Sequence, residues 1–191
     1  VVVKKERKTK ETNISLELNI DGSGESQIAT GVGFFDHMLE SFAKHAFFDL
    51  RIECRGDIHV DDHHTVEDVG IVIGQALKEA IYPVSGVERF GDSVVVMDEA
   101  AVSCAIDLSN RPFLFYGIEI DGKVGSFDVE LAEEFFRALA FNSGTTIHIV
   151  LQRGKNRHHI VEAAFKAYAV AIRRALAPNP RAGIPSTKGV L

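Results

Sequence analysis

His63-His64-Thr65-Val66-Glu67, a third of the way along the chain, and His158-His159-Ile160-Val161-Glu162, near its end, are two copies of one pattern, HHxxE. Four of the eight histidines lie in these two windows. Chance at this composition yields about 0.03 such patterns per chain, so two copies point to a shared role. Upstream, MLESFAKHAFFDLRIE (38–53) precedes the first copy and FFRALAFNSGTTIHIV (135–150) precedes the second at nearly the same distance. Both stretches read as helix then strand, and each HHxxE leads into a further helical segment. The alignment predicts an internal repeat of about 90 residues.

The periodicities fill in each half. Residues 1–20 read as two strands, the second with Ile14, Leu16, Leu18 and Ile20 on one face. Phe35, Met38, Leu39 and Phe42 predict a helix over 34–45; alternation predicts a strand over 47–54. A helix follows over 65–81, stopped by Tyr82-Pro83. The second half predicts strands over 93–97, 101–108 and 113–120, a helix over 128–141, a strand over 145–151 and an alanine-rich helix over 158–176. Each half thus reads strand, strand, helix, strand, HHxxE, helix. The fold class is α+β: two tandem pseudo-symmetric repeats, 1–86 and 87–177, each a small sheet covered on one face by two helices. Residues 178–191, with Pro178, Pro180, Gly183, Pro185 and Gly189, read as a loop-like tail.

Imidazole plus carboxylate is a metal-ligand set for Mn, Fe, Zn or Ni, and the carboxylates tilt the choice towards Mn. His64 and Glu67, three residues apart, are expected to share a helix face, as are His159 and Glu162. His63 and His158 would then point elsewhere, to another ion or another subunit. The order of residues matches neither HExxH nor HxxEH. His37, in Phe35-Asp36-His37-Met38, has Glu134 at its repeat-equivalent position, and both residue types ligate metals. His45, His59 and His148 are weaker candidates.

The net charge of -6 and the lack of a basic, aromatic stripe count against a nucleic-acid binder but leave room for a local phosphate pocket. No apolar run is long enough to cross a bilayer. Cys54 and Cys104, without CxxC spacing, read as buried thiols in a reducing compartment. The expected location is the cytoplasm, or a plastid if a transit peptide was removed.

The motifs together resemble the imidazoleglycerol-phosphate dehydratases. The stretches that carry the resemblance are KETNISLELNIDGSG (10–24), GFFDHMLESFAKHAFFDL (33–50), GDIHVDDHHTVEDVGIVIGQAL (56–77), RFGDSVVVMDEA (89–100), DLSNRPF (107–113), EEFFRALAFNSGTTIHI (133–149), GKNRHHIVEAAFKA (154–167) and PSTKGVL (185–191). The resemblance implies two fused repeats of the ribosomal-protein-S5-domain-2-like type. It also implies a 24-subunit self-assembly with active sites where subunits meet, and two Mn2+ per site. The metal ligands it implies are His37, His63, His64, Glu67, Glu134, His158, His159 and Glu162, although many relatives carry histidine where this chain has Glu134. Substrate contacts would come from Glu11, His37, His45 and His63, with Arg89, Arg111, Ser186 and Lys188 at the phosphate.

The implied reaction is dehydration of D-erythro-imidazoleglycerol phosphate to imidazole acetol phosphate through a metal-bound imidazolate. Glu11 would be the base or proton shuttle, with Glu67 and Glu162 also in the catalytic set. The alternatives are a binuclear metal hydrolase of a phosphorylated small molecule and a non-enzymatic, metal-dependent assembly protein.

Overall fold

The computed structural model describes residues 1–191. The first half contains strands β1 (Val3–Lys8), β2 (Thr12–Asn19) and β3 (Ser26–Ala29), helix α1 (Gly33–Ala46), strand β4 (Asp49–Gly56) and helix α2 (His63–Ile81). The second contains β5 (Phe90–Met97), β6 (Ala100–Asp107), β7 (Phe113–Gly117), a small β8–β9 hairpin (Lys123–Val124, Phe127–Asp128), α3 (Glu130–Ser143), β10 (Thr146–Arg153) and α4 (Arg157–Ala175). The two main sheets have the same order, β1-β2-β4-β3 and β5-β6-β10-β7. In each, three strands run antiparallel and the outermost, β3 or β7, is parallel to its neighbour. The repeat is therefore topological as well as sequential.

Alternation places Ile14, Leu16, Leu18, Leu50 and Ile52 on the inner face of the first sheet, where α1 and α2 pack. The helices of the two halves then meet, α2 against α3 and α1 against α4, so all four lie between the sheets. Each pair runs parallel. A Cβ on Gly70 would lie 2.9 Å from the Phe135 carbonyl oxygen, and one on Gly74 would lie 2.7 Å from Asn142 Cβ, two points in the same order along both helices. Along the other pair, the Phe42 and Tyr168 rings stand 5.5 Å apart, and Arg173 Nη1 donates to the His45 carbonyl at 2.8 Å. Fifty buried residues form one cluster, including Phe35, Phe127, Phe135, Phe136, Phe165 and Tyr168 from both halves. The repeats are thus fused through a common core.

The structure differs from the sequence expectation at the edges of elements. β3 was not expected: its four residues carry one apolar side chain, Ile28, packed against the core. The strand expected at 47–54 starts at Asp49, because Phe47 adopts φ 59° and closes α1 as its left-handed cap. Helix α2 begins at His63 rather than residue 65, with Asp61 Oδ1 accepting the His63 N–H at 2.9 Å. Both histidines of the first HHxxE therefore lie in the first helical turn. No helix is long and apolar enough to cross a membrane.

Candidate functional site

The HHxxE motifs open α2 and α4, and each parallel partner helix brings one further side chain to the same end. His63 Nε2 lies 3.0 Å from Glu67 Oε2, and Glu134 of α3 joins them. His158 Nε2 lies 3.6 Å from Glu162 Oε1, and His37 of α1 approaches that oxygen at 2.7 Å. Each group takes two residues from its own HHxxE helix and one from the other repeat. His37 and Glu134 occupy matching places, which only the cross-packing of the halves creates.

This geometry corrects the expected pairing. His63 and His158, not His64 and His159, face the glutamates. Four residues advance a helix by about 400°, some 40° from alignment, whereas three leave about 60°. Glu162 is buried, and burial alone would raise its pKa; the hydrogen bond and charge of Lys166, at 3.2 Å, and then His37, lower it instead. Glu134 also accepts from Arg137 Nη1 at 2.8 Å.

The second histidine of each motif turns to a different set of carboxylates. His64 Nδ1 lies 2.8 Å from Asp57 Oδ2 and 2.5 Å from Glu11 Oε2. The Asp57 hydrogen bond, followed by the charges of Asp57 and Glu11, raises the His64 pKa. His159 Nδ1 lies 2.5 Å from Glu99 Oε1. This hydrogen bond, with the backbone N–H groups of Lys155 and Asn156, brings Glu99 down to about 2. Asn156 caps α4 by accepting the His159 N–H at 3.0 Å. Sequence reasoning missed Asp57 and Glu99. The available signal was positional: Glu11 and Glu99 both sit in the hairpin before the second strand of their repeat.

Three groups, His37/His158/Glu162, Glu11/Asp57/His64 and His63/Glu67/Glu134, each have donor atoms within 4.8 Å of one another. Around Glu162 and Glu67, imidazole nitrogens with carboxylate oxygens at this spacing suit a divalent transition metal. In the third group Asp57 and Glu11 both lie on His64 Nδ1, which leaves Nε2 of that ring as its ligand atom. The residues present fit a metal.

The basic residues gather elsewhere. Arg89, Ser109, Asn110, Arg111, Ser186 and Lys188 line a cavity of about 650 Å³. Arg89 Nε donates to Asp107 Oδ1 at 2.8 Å and its Nη1 to the Pro185 carbonyl at 2.7 Å, tying the tail to the sheet. Its backbone N–H donates to Ala175, the last residue of α4, whereas His158 and His159 lie in the first turn of that helix. The 19 residues between its ends span about 28 Å, so one chain keeps its basic pocket far from its HHxxE groups. His45 lies in the last turn of α1, about 12 Å along the helix from His37. His59 is exposed in the loop before α2, and His148 lies on the outer sheet face between Phe113 and Phe115.

Residues 30–172 match the family described as imidazoleglycerol-phosphate dehydratase. This chain belongs to that family. An imidazoleglycerol-phosphate dehydratase of Campylobacter curvus is 70% identical over 191 residues, covering all of this chain and 98% of that protein. One from a Nitratiruptor species is 67% identical over 190 residues, with both chains fully covered. Among solved structures, the imidazoleglycerol-phosphate dehydratase of Staphylococcus aureus superposes with a TM-score of 0.86 at 42% identity, covering 94% of this chain and all of that one. The enzyme of Pyrococcus furiosus, solved in complex with (S)-C348, gives 0.84 at 40% identity over 98% of this chain and all of that one. These dehydratases share the tandem α+β architecture described above, with two sheets packed against helices.

Proposed function

We propose that this chain dehydrates D-erythro-imidazoleglycerol phosphate to imidazole acetol phosphate and water, with the HHxxE groups as its metal centre. Membership of the dehydratase family makes it a hydro-lyase of histidine biosynthesis. The observation that carries the site reading is the pair of imidazole–carboxylate groups, each assembled from both repeats. Neither the hydrolase nor the assembly-only alternative has a family match behind it.

The chemical problem is a non-acidic C–H bond and a poor leaving group. A pair of Mn2+ ions held by His37, His63, His64, Glu67, Glu134, His158, His159 and Glu162 would supply Lewis acidity to the substrate's imidazole ring. Glu11, half-exposed beside His64, is the proton carrier: it takes the proton lost from carbon or delivers one to the departing hydroxyl. Glu67, 3.0 Å from His63, and Glu162, 3.6 Å from His158, would each share a metal with the first histidine of its motif. Arg111 and Lys188 anchor the phosphate, the guanidinium through paired hydrogen bonds and the ammonium as a point charge. Ser186 adds a hydroxyl there. Arg89 keeps two of its five N–H groups for phosphate after bonding Asp107 and Pro185. Phosphate binding remote from the reacting carbons supplies positioning energy. His45, about 12 Å along α1 from His37, is assigned to the substrate on the family resemblance alone.

A three-carbon phosphate ester cannot bridge the length of α4, so the anchor and the metal groups of one active site come from different copies of the chain. The outer face of the second sheet supports self-association. Phe90, Val94, Val96, Phe113 and Phe115 are exposed there, whereas the first sheet shows Lys4, Glu6, Arg51, Glu53 and Arg55 outward. We assign that apolar face to contact with a second copy and the complete assembly to a 24-mer. The bacterial relatives and the buried free thiols support a cytoplasmic location.

The deciding experiment strips the protein with chelator and restores Mn2+. Turnover should disappear and return, yielding a ketone without release of inorganic phosphate. Phosphate release would favour the hydrolase reading, and absence of turnover with every divalent ion would refute the metal centre.

A further inference from the structure

The two repeats place a glutamate at the same point of the fold. Glu11 directly precedes Thr12, which pairs with Gly56 across β2 and β4. Glu99 directly precedes Ala100, and the next residue, Ala101, pairs with Arg153 beside Gly154. The glycines confirm the equivalence. A Cβ on Gly56 would meet Thr12 and Thr65, and one on Gly154 would meet Ala100 and Ile160. Thr65 and Ile160 each follow the second histidine of an HHxxE motif. Glu11 with His64 therefore corresponds to Glu99 with His159, and each glutamate approaches its histidine Nδ1 at 2.5 Å.

The surroundings differ. Glu99 Oε2 accepts the backbone N–H groups of Lys155 at 2.8 Å and Asn156 at 3.0 Å while Oε1 meets His159. Its carboxylate is fixed on both oxygens. In the first repeat Asp57 accepts the aligned hydrogen bond from Nδ1, and the Glu11 carboxylate has no backbone partner. At the place of Asp57, after the glycine that ends the strand, the second repeat has Lys155, whose N–H grips Glu99.

We propose that the two equivalent glutamates have divided their roles: Glu99 is the positioning residue that holds His159 by Nδ1 and presents Nε2 to a metal, while Asp57 does this for His64 and leaves Glu11 free for proton transfer. A carboxylate on one ring nitrogen fixes the tautomer and orientation of a ligating histidine. Asp98 stands 3.7 Å from His159 Nε2, beyond hydrogen-bond distance, so that nitrogen is open. The inference rests on the metal reading of the site.

The test compares Glu99→Gln with Glu11→Gln in the full assembly, using Mn2+ as the probe. In Glu99→Gln the new amide oxygen can still accept the two backbone N–H groups, but the amide NH2 then faces Nδ1 and favours the tautomer with the proton on Nε2. Mn2+ affinity by titration calorimetry should fall about 10–100-fold, with kcat restored at saturating Mn2+ and KM unchanged. Glu11→Gln should keep its Mn2+ affinity and lose kcat at every metal concentration. Wild-type Mn2+ affinity in Glu99→Gln, or a kcat deficit that saturating metal does not restore, overturns the assignment. Should Glu99→Gln not fold, Glu99→Asp keeps the charge but not the reach, and undiminished Mn2+ binding there overturns the assignment equally. A wild-type protein that binds no Mn2+ fails the metal reading itself, a distinct result.

Discussion

Around single residues, chemistry here depends on which nitrogen or oxygen a neighbour has already taken. Glu11 keeps its carboxylate free of backbone donors, so Glu11→Gln should cut kcat by about 10²–10⁴-fold, read in steady-state kinetics at saturating Mn2+. Full turnover in that variant would remove Glu11 from the mechanism. A second carboxylate has a structural role. Asp49 Oδ1 accepts the backbone N–H groups of Ser23 and Glu25, each at 3.0 Å. The Ser23 bond, then the Glu25 bond, lowers its pKa below the ordinary 3.8. A depressed native pKa gives stability that is complete above the unfolded value and is lost as pH falls through the native value. Asp49→Asn should therefore be less stable than wild type at neutral pH, and the gap should close in acid. Urea denaturation of the metal-free protein at both pH values measures it, and a gap independent of pH would contradict the charge assignment.

Among the helices, α2 and α3 pack in close contact. Gly70 and Gly74 let the helices approach until a Cβ at 74 would lie 2.7 Å from Asn142 Cβ and 3.0 Å from the Leu139 carbonyl oxygen. Gly74→Ala gains about 1 kcal/mol of helix propensity but meets overpacking of about 1–3 kcal/mol. The carbonyl belongs to a helix that cannot yield locally, so the net change should be destabilising. The same variant should weaken metal binding, because α3 carries Glu134 to His63. Gly33→Ala, with nothing within 4 Å, is the control and should be neutral or better. Equal denaturation midpoints for the two variants would show that α3 moves freely. Long periodic elements such as α1 and α4 were legible in the sequence within a residue or two. β3 was not, because four residues around one apolar side chain carry too little period, and partnership with β4 defines it.

Over the full extent of the chain, the distance between the basic pocket and the HHxxE groups is the ground for proposing a site shared between copies. Mixing subunits inactivated at the metal by His159→Ala with subunits inactivated at the anchor by Lys188→Ala should restore part of the activity after reassembly with Mn2+. Each mixed assembly then holds some sites with both wild-type halves. No activity in the mixture, with co-assembly verified by light scattering, would place the anchor and metal groups of a site on one chain.

Residue order alone establishes the duplication, the α+β class and the residue types of the candidate metal centre, because local period and a doubled motif survive without tertiary context. It also places Glu134 opposite His37 by repeat order. That His63 faces Glu67 emerges only in three dimensions, since it depends on α2 beginning at His63, whereas the four-residue spacing of His158 and Glu162 was readable within the expected helix. Packing, too, joins each HHxxE motif to the other repeat, through the parallel contacts of α2 on α3 and α1 on α4. Residue order showed only that Glu99 shares the hairpin position of Glu11: 60 residues separate it from His159, and the pairing of β6 with β10 closes that gap in space.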